Sequence, residues 1–160
     1  MKSTYKLDRF EARILRLLQT YGRLSHAEIG RRIGLSPSAV AERIRNLEAE
    51  QVILGYAAIV DAERVGLPIT AMITMTCDGE RCRKLPGEVE AIPEVVECHR
   101  LTGDASAILK VVVPSIRALE ALVDKLALFG KPSTALVLSR PFTPRPLPYV
   151  GDAEGTPNKA

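Results

Sequence analysis

The sequence has no tryptophan, and its 160 residues hold only three phenylalanines and four tyrosines. Base-stacking platforms and aromatic haem pockets therefore start with little material. Cysteine is equally sparse. Cys77, Cys82 and Cys98 are an odd number in a long chain, so a disulfide framework is not expected and reduced thiols are the default. The step from Cys77 to Cys82 matches neither the redox nor the zinc spacing of C-x-x-C. No apolar run approaches the roughly 18 residues of a membrane span, and the N-terminal segment lacks the apolar stretch of a signal peptide. The expectation is a cytoplasmic protein with no membrane partner. Excess charge is also small, with 22 Lys+Arg against 19 Asp+Glu giving +3.

The distribution of that charge is uneven. Residues 1–52 carry ten basic and six acidic side chains, net +4, whereas residues 53–140 carry ten and eleven, net −1. Residues 141–160 carry two of each. The whole positive excess lies in the first third, where a polyanionic partner would be sought.

That first third reads as three helices. Leu7, Phe10, Ile14, Leu17 and Leu18 recur at helical spacing over residues 8–20, and Tyr21-Gly22 ends the run. Ser25-His26-Ala27-Glu28 is a capping box that opens a second helix burying Ile29 and Ile33. Ser36-Pro37 opens a third, with Val40, Ile44 and Leu47 on its apolar side. Only Gly34-Leu35-Ser36 separates the last two, so they must cross steeply, with Gly34 free to take positive φ and Gly30 leaving room for close approach. This is helix-turn-helix grammar.

From Val52 to Val60 the chain is short, apolar and uncharged, as suits a strand or hinge. Beyond Gly66-Leu67-Pro68, strands are expected at residues 69–76, 95–101, 107–113 and 134–139. A well-supported helix runs from the Ser115 cap to Phe129, with Ile116, Leu119, Leu122, Val123 and Leu126 on one side. A weaker helix around residues 84–91 is interrupted by Pro86-Gly87 and expected to last one or two turns. The fold class is α+β: an N-terminal helix-turn-helix domain (1–52) and a hinge strand with linker (53–66), then a ferredoxin-like βαββαβ sandwich domain (67–140). The tail, 141–160, holds five of the eleven prolines and is expected to be extended or disordered.

With Val40, Ile44 and Leu47 turned inward, the third helix presents Ser38, Ala39, Glu42, Arg43, Arg45 and Asn46. Small residues at its start let the backbone approach base edges, and Arg43 and Asn46 have the donors for bidentate contacts. Arg23, Arg31, Arg32 and Arg45 suit phosphates, as do Ser36 and the helix N-terminus. Loss of one such base contact, as in Arg43→Ala, would cost about 1–3 kcal/mol of specific-site affinity.

Several motifs then agree in order: Leu7-Asp8, Ile14-Leu15-Arg16-Leu17-Leu18-Gln19, Gly22-Arg23-Leu24-Ser25, Gly34-Leu35-Ser36-Pro37-Ser38 and Glu42-Arg43-Ile44-Arg45-Asn46-Leu47-Glu48. Val52-Ile53-Leu54-Gly55-Tyr56, Glu97-Cys98-His99-Arg100-Leu101-Thr102-Gly103-Asp104 and Val137-Leu138-Ser139 extend the pattern. Over roughly residues 7–140 the chain resembles the Lrp/AsnC, or feast/famine, family of transcriptional regulators. The resemblance implies a winged-helix-type or plain helix-turn-helix reader of double-stranded DNA. It also implies a module that dimerises, assembles further into tetramers or octamers, and often binds an amino acid or related metabolite. The family places part of its effector pocket at Thr102, Gly103, Asp104 and Ser106. Gly103 would admit ligand polar groups to backbone amides, and Asp104 could pair with an α-ammonium group. Members often continue that turn with an acidic residue and an aromatic. Here Ala105-Ser106-Ala107-Ile108 follows, which implies a smaller, less charged pocket.

Cys98 and His99 would point to opposite faces of a strand, so they do not make one metal site, and Cys98 reads as a small buried hydrophobe. His26 reads as an exposed first-turn residue. No cofactor or metal is expected. Two other functions share the architecture. A sirohaem-type tetrapyrrole decarboxylase would cast His99 as a catalytic group, but no His and Arg cluster follows it to hold a polycarboxylate, and no catalytic residue is assigned. An effector-independent DNA-organising protein would use the same reader without a defined footprint.

Overall fold

The computed structural model describes residues 4–142 and 145–148, so most of the 141–160 tail lies outside the described residues. These residues form two compact units, one reaching residue 58 and including those from 142 onward, the other spanning residues 59–141.

In the first unit, helix α1 (Arg9–Tyr21) opens on Asp8, whose carboxylate accepts from the Phe10 and Glu11 N–H groups at 2.7 and 2.8 Å. Glu11 answers by accepting from the Asp8 N–H at 2.9 Å, completing a capping box that the sequence reading placed only at Ser25. Glu11 is 7% exposed, and the Tyr5 hydroxyl donates a second hydrogen bond at 3.0 Å that helps compensate its burial. That bond, together with burial and the neighbouring Glu11 charge, holds the Tyr5 phenol above its ordinary pKa. Helix α2 (His26–Ile33) starts on the expected Ser25–Glu28 box, and α3 (Pro37–Ala49) on Ser36, whose hydroxyl accepts from the Ala39 N–H. Ile14, Leu15, Ile29, Ile33, Val40, Ile44 and Leu47 form the core. Gly34 sits at φ +78°, and a Cβ on Gly30 would lie 2.4 Å from the Leu35 carbonyl oxygen, so the tight α2–α3 crossing requires glycine at both positions.

The second unit begins with a 3-10 turn (Glu63–Val65) and continues as β1 (Ile69–Thr76), α4 (Gly79–Glu90), β2 (Val95–Arg100), β3 (Ala107–Val113), α5 (Ile116–Ala127) and β4 (Lys131–Leu136). The strands form one antiparallel sheet in the order β2-β3-β1-β4, the expected βαββαβ arrangement. Ala71, Ile73 and Met75 of β1 and Leu109, Val111 and Val113 of β3 share a core with Leu85 and Val89 of α4 and Leu119, Leu122 and Leu126 of α5.

Five expectations change. Helix α4 runs through Pro86 instead of stopping near it. The lost backbone bond and ring clash cost about 3 kcal/mol, while burying Leu85 and Val89 returns about 1.5–3 kcal/mol each. Strand β4 occupies 131–136 rather than 134–139. It is an edge strand, where Pro132 is tolerated, and its register sets Lys131 opposite Thr76. Residues 52–60 form no strand, because none of the described residues pairs with them. The Val52 and Ile53 N–H groups instead close onto the Leu47 carbonyl.

The cysteines depart furthest. Cys77 and Cys82 form a disulfide between the end of β1 and the first turns of α4, with Cα atoms 5.3 Å apart. Helical geometry brings the two together at a step that no linear motif marks. Cys98 is exposed rather than buried. It lies opposite Leu109 on edge strand β2, where the side chain meets a cleft of about 420 Å³ between α4 and β2 rather than a packed helix. Partial burial pushes its thiol pKa up, keeping it protonated.

Candidate nucleic-acid interface and effector turn

The start of α3 is fixed by its cap and by Pro37 at the first helical position, where a missing N–H costs nothing. With the core stripe turned inward, Ser38, Glu42, Arg45 and Asn46 stand exposed on the opposite side. The 38, 42, 45 spacing lines three of them along one face. Ala39 is half-buried beside it, and the Ser36 hydroxyl lies 3.1 Å from that of Ser38. The arrangement is a capped helix offering hydroxyls at its start, then a carboxylate, a guanidinium and an amide. These are groups that can address phosphates, cytosine amines, guanine and adenine edges respectively.

Arg43 differs from its expected place. Its guanidinium donates to the Asp8 carboxylate at the head of α1 and lies 5.4 Å from the centroid of Phe10. The position falls on the flank between the core stripe and the exposed face, which the spacing of Val40, Ile44 and Leu47 already implies. Partial burial raises the Asp8 pKa, but the Glu11 N–H, Arg43 and Phe10 N–H contacts outweigh it and leave the carboxyl below its ordinary range. Arg23, Arg31 and Arg32 are exposed around α2. Arg32 stacks 4.6 Å from the centroid of Tyr21, and its carbonyl accepts from Arg13 at 3.0 Å. Glu28 is held below its usual pKa by hydrogen bonds from Ser25. After α3, the Tyr56 hydroxyl donates to Glu48 at 2.8 Å, and burial together with that bond pushes its pKa up to about 12.

In the second unit the turn between β2 and β3 is closed by the Leu101 N–H on the Ser106 carbonyl and anchored by the Ser106 N–H on Met75. Gly103 takes φ +103°, a conformation closed to most side chains. Thr102, Gly103 and Asp104 are exposed, and the Asp104 carboxylate has no partner among the described residues. Ser106 is half-buried and already engaged: its hydroxyl accepts from the Cys77 N–H and donates to the Cys77 carbonyl, both at 3.1 Å. The Thr76 hydroxyl lies 3.5 Å from the Asp104 carbonyl.

Beside this turn opens a groove of about 560 Å³ lined by Thr76, Cys77, Asp78, Glu80, Arg81, Gly130 and Lys131. None of these was singled out from sequence as an effector contact. Strand register brings Thr76 and Lys131 together, and only Cys77 and Cys82 had marked the region at all. Among the described residues no cluster of His, Cys, Asp and Glu could hold a metal ion. His99 lies opposite Ile108, 3.5 Å from Glu97, which also pairs with Lys110. The Lys110 bond, and to a lesser degree His99, holds Glu97 below its ordinary pKa against partial burial.

A capped helix-turn-helix unit with an exposed polar face on its third helix, joined to a ferredoxin-like sheet unit, is the architecture of a two-domain DNA-binding regulator. Residues 7–48 match the model of the AsnC-type helix-turn-helix domain, and residues 70–147 that of the Lrp/AsnC ligand binding domain. The chain is 39% identical over 133 residues to the HTH-type transcriptional regulator YezC of Bacillus subtilis, covering 83% of this chain and 94% of that protein. The solved structure of B. subtilis LrpC superposes with a TM-score of 0.82 at 31% identity, over 88% of this chain and 100% of that one. A feast or famine regulatory protein from M. tuberculosis complexed with L-methionine gives 0.81 at 32% identity, over 88% and 97%. The chain belongs to the Lrp/AsnC family of transcriptional regulators, DNA-binding proteins that are not enzymes. The tetrapyrrole decarboxylase alternative is accordingly set aside.

Proposed function

We propose that the protein is an amino-acid-responsive, sequence-specific regulator that works as a homodimer or larger assembly on double-stranded DNA in the cytoplasm. The exposed Ser38–Glu42–Arg45–Asn46 face of α3, held between a side-chain cap and a glycine-tight turn, carries this reading. Arg45 and Asn46 take direct base readout. Ser38, Ala39 and Glu42 allow and restrict the approach, while Ser36, Arg23, Arg31 and Arg32 meet phosphates. Arg43 stands at the margin and reaches a base only by giving up Asp8.

Self-association is supported by Leu54, Tyr56, Ile59 and Val60, all exposed apolar or aromatic residues in an extended segment without a strand partner in the described chain. Amino-acid binding is supported by the exposed Thr102-Gly103-Asp104 turn beside the Lys131 groove, and by the L-methionine complex of the M. tuberculosis relative. Domain roles follow: a reader over 1–52, a link over 53–66, and a sensing and assembly module over 67–140.

The test is binding to a footprinted operator and to random duplex at one salt concentration. Arg45→Ala should weaken the operator complex by about 1–3 kcal/mol and leave random binding little changed. An unchanged ratio overturns the assignment of that face. A thermal-shift screen with the twenty amino acids tests the sensor, since a ligand of the native state raises stability by mass action. No response at millimolar concentration would leave an effector-independent regulator.

A further inference from the structure

Cys77, Cys82 and Ser106 meet where the proposed effector turn is anchored, and the established DNA-binding role uses none of them. We propose that Cys77 and Cys82 are a reversible thiol–disulfide switch that couples the surrounding redox state to the turn Thr102–Ser106. The inference rests on the effector reading of that turn.

Three observations carry it. First, the disulfide stands in for a cap. Helices α1, α2, α3 and α5 each begin on a side chain that accepts backbone N–H bonds, whereas Asp78 before α4 makes none. Helix α4 also begins on Gly79 at φ +52° and contains Pro86, so beyond the bond to Cys77 its first turns are supported only by an exposed Glu80–Lys84 ion pair at 2.9 Å, a weak surface contact. Second, the Cys77 backbone is the anchor of the turn. The Ser106 hydroxyl bridges its N–H and carbonyl, and the Ser106 N–H holds Met75 two residues earlier. Third, Gly130 approaches the Thr76–Cys77 backbone closely enough that only glycine fits there. A Cβ on Gly130 would lie 3.0 Å from the Cys77 Cβ and 2.7 Å from the Thr76 carbonyl oxygen.

Two thiol sulfurs cannot stay at the roughly 2 Å of a disulfide bond. On reduction they separate, and the displacement falls on the two elements tied to them, the uncapped start of α4 and the Ser106 clamp. Both cysteines are half-buried, within reach of a small thiol or peroxide. A regulator acting on DNA in a reducing compartment is also where a disulfide is expected to be transient and sensory rather than structural.

The chemistry balances without a cofactor. Oxidation by a hydroperoxide proceeds by thiolate attack on the peroxide oxygen, giving a sulfenic acid and an alcohol, or water when the oxidant is hydrogen peroxide. The second thiol then displaces water to form the S–S bond. Reduction by two equivalents of a thiol breaks that bond, returns two electrons and two protons to the cysteine sulfurs, and releases the reductant as its disulfide.

The experiment uses the full chain carrying Cys98→Ser, so that only the pair titrates. Peroxide-treated protein should show no reactive thiol after denaturation, and dithiothreitol-treated protein two. Amide exchange at Cys77 and Ser106 should be about tenfold faster in the reduced form and in a further Cys82→Ser variant, as expected when a local opening is eased. The midpoint for L-methionine, followed by thermal shift, should differ at least severalfold between the two forms. Two titratable thiols after peroxide overturn the switch, as does equal exchange in both forms. Equal exchange with an intact L-methionine response rejects the switch and keeps the effector reading. Redox-dependent exchange, with no response to L-methionine or any other amino acid, keeps the switch and rejects that reading.

Discussion

The two units are assembled by different means. In the first, every helix begins on a side chain close in sequence to the backbone groups it satisfies, and seven apolar residues close a small core beneath a polar face. In the second, α5 follows the same pattern from Ser115, but α4 is held by a disulfide and by long-range packing onto the sheet. The opposite sheet face presents Met72, Ile108 and Val112 only half-buried. The starts of the first unit's helices are therefore set by local rules, whereas α4 of the sheet unit depends on partners outside its own first turn.

The largest effects should test whether the cores are independent. Leu47 and Leu126 are each fully buried, one per unit. Leu→Ala at either should cost about 2–5 kcal/mol. In urea unfolding followed by residue-resolved amide signals, each substitution should move only its own unit's transition. Joint movement of both transitions would break the comparison.

Next come the two glycines at which backbone meets backbone. Gly30→Ala would place a Cβ 2.4 Å from the Leu35 oxygen, and Gly130→Ala 2.7 Å from the Thr76 oxygen. Each should destabilise its unit by about 1–3 kcal/mol as overpacking. The functional outcomes should divide: Gly30→Ala weakens operator and random DNA together, and Gly130→Ala alters amino-acid-dependent stabilisation while leaving DNA affinity in place. Loss of DNA binding in Gly130→Ala would remove the division of labour.

The caps give a smaller and sharper contrast. Ser36→Ala and Ser115→Ala should each cost about 1 kcal/mol, measured as a shift in urea midpoint, whereas Asp78→Ala should cost almost nothing because its side chain caps no N–H. A full cap penalty at Asp78 would mean that α4 is begun like the others, weakening the case that the disulfide substitutes for a cap.

The same division explains what the sequence makes legible. Ser25 with Glu28, Ser36 with Pro37, and the stripe of α3 are read correctly because cap and stripe lie within a few residues of each other; the α5 stripe holds at Leu119, Leu122 and Leu126, but Ile116 at its first turn is exposed. The βαββαβ order follows from strands of alternating burial such as β3, whose bounds match the expected ones. What fails is long-range. The Cys77–Cys82 pairing depends on α4 beginning at Gly79 rather than near residue 84, and on its continuing through Pro86 with Leu85 and Val89 buried in the sheet core. Cys98 is exposed because β2 is an edge strand beside an open cleft. Of the candidate site, the α3 face is legible from helical spacing, but the capture of Arg43 by a residue 35 positions away is not.

That capture supplies the smallest and most specific prediction. Asp8 has a lowered pKa in the folded chain. Its contribution is therefore fully present above the unfolded carboxyl pKa of about 3.9 and is lost as pH falls through the folded value. The reader should lose stability below about pH 4 in part through this group, and Asp8→Asn should flatten that portion of the profile. Side chains 29% and 44% exposed make the pair a surface one, worth about 0.2–1 kcal/mol in a double-mutant cycle of Asp8→Asn with Arg43→Gln. The cycle also decides what Arg43 does on DNA. If it positions α3 through Asp8, Asp8→Asn and Arg43→Gln should weaken operator and random duplex in parallel, with little change in their ratio. If Arg43 leaves Asp8 to read a base, Asp8→Asn should strengthen operator binding, because the competing partner is gone, while Arg43→Gln collapses the ratio.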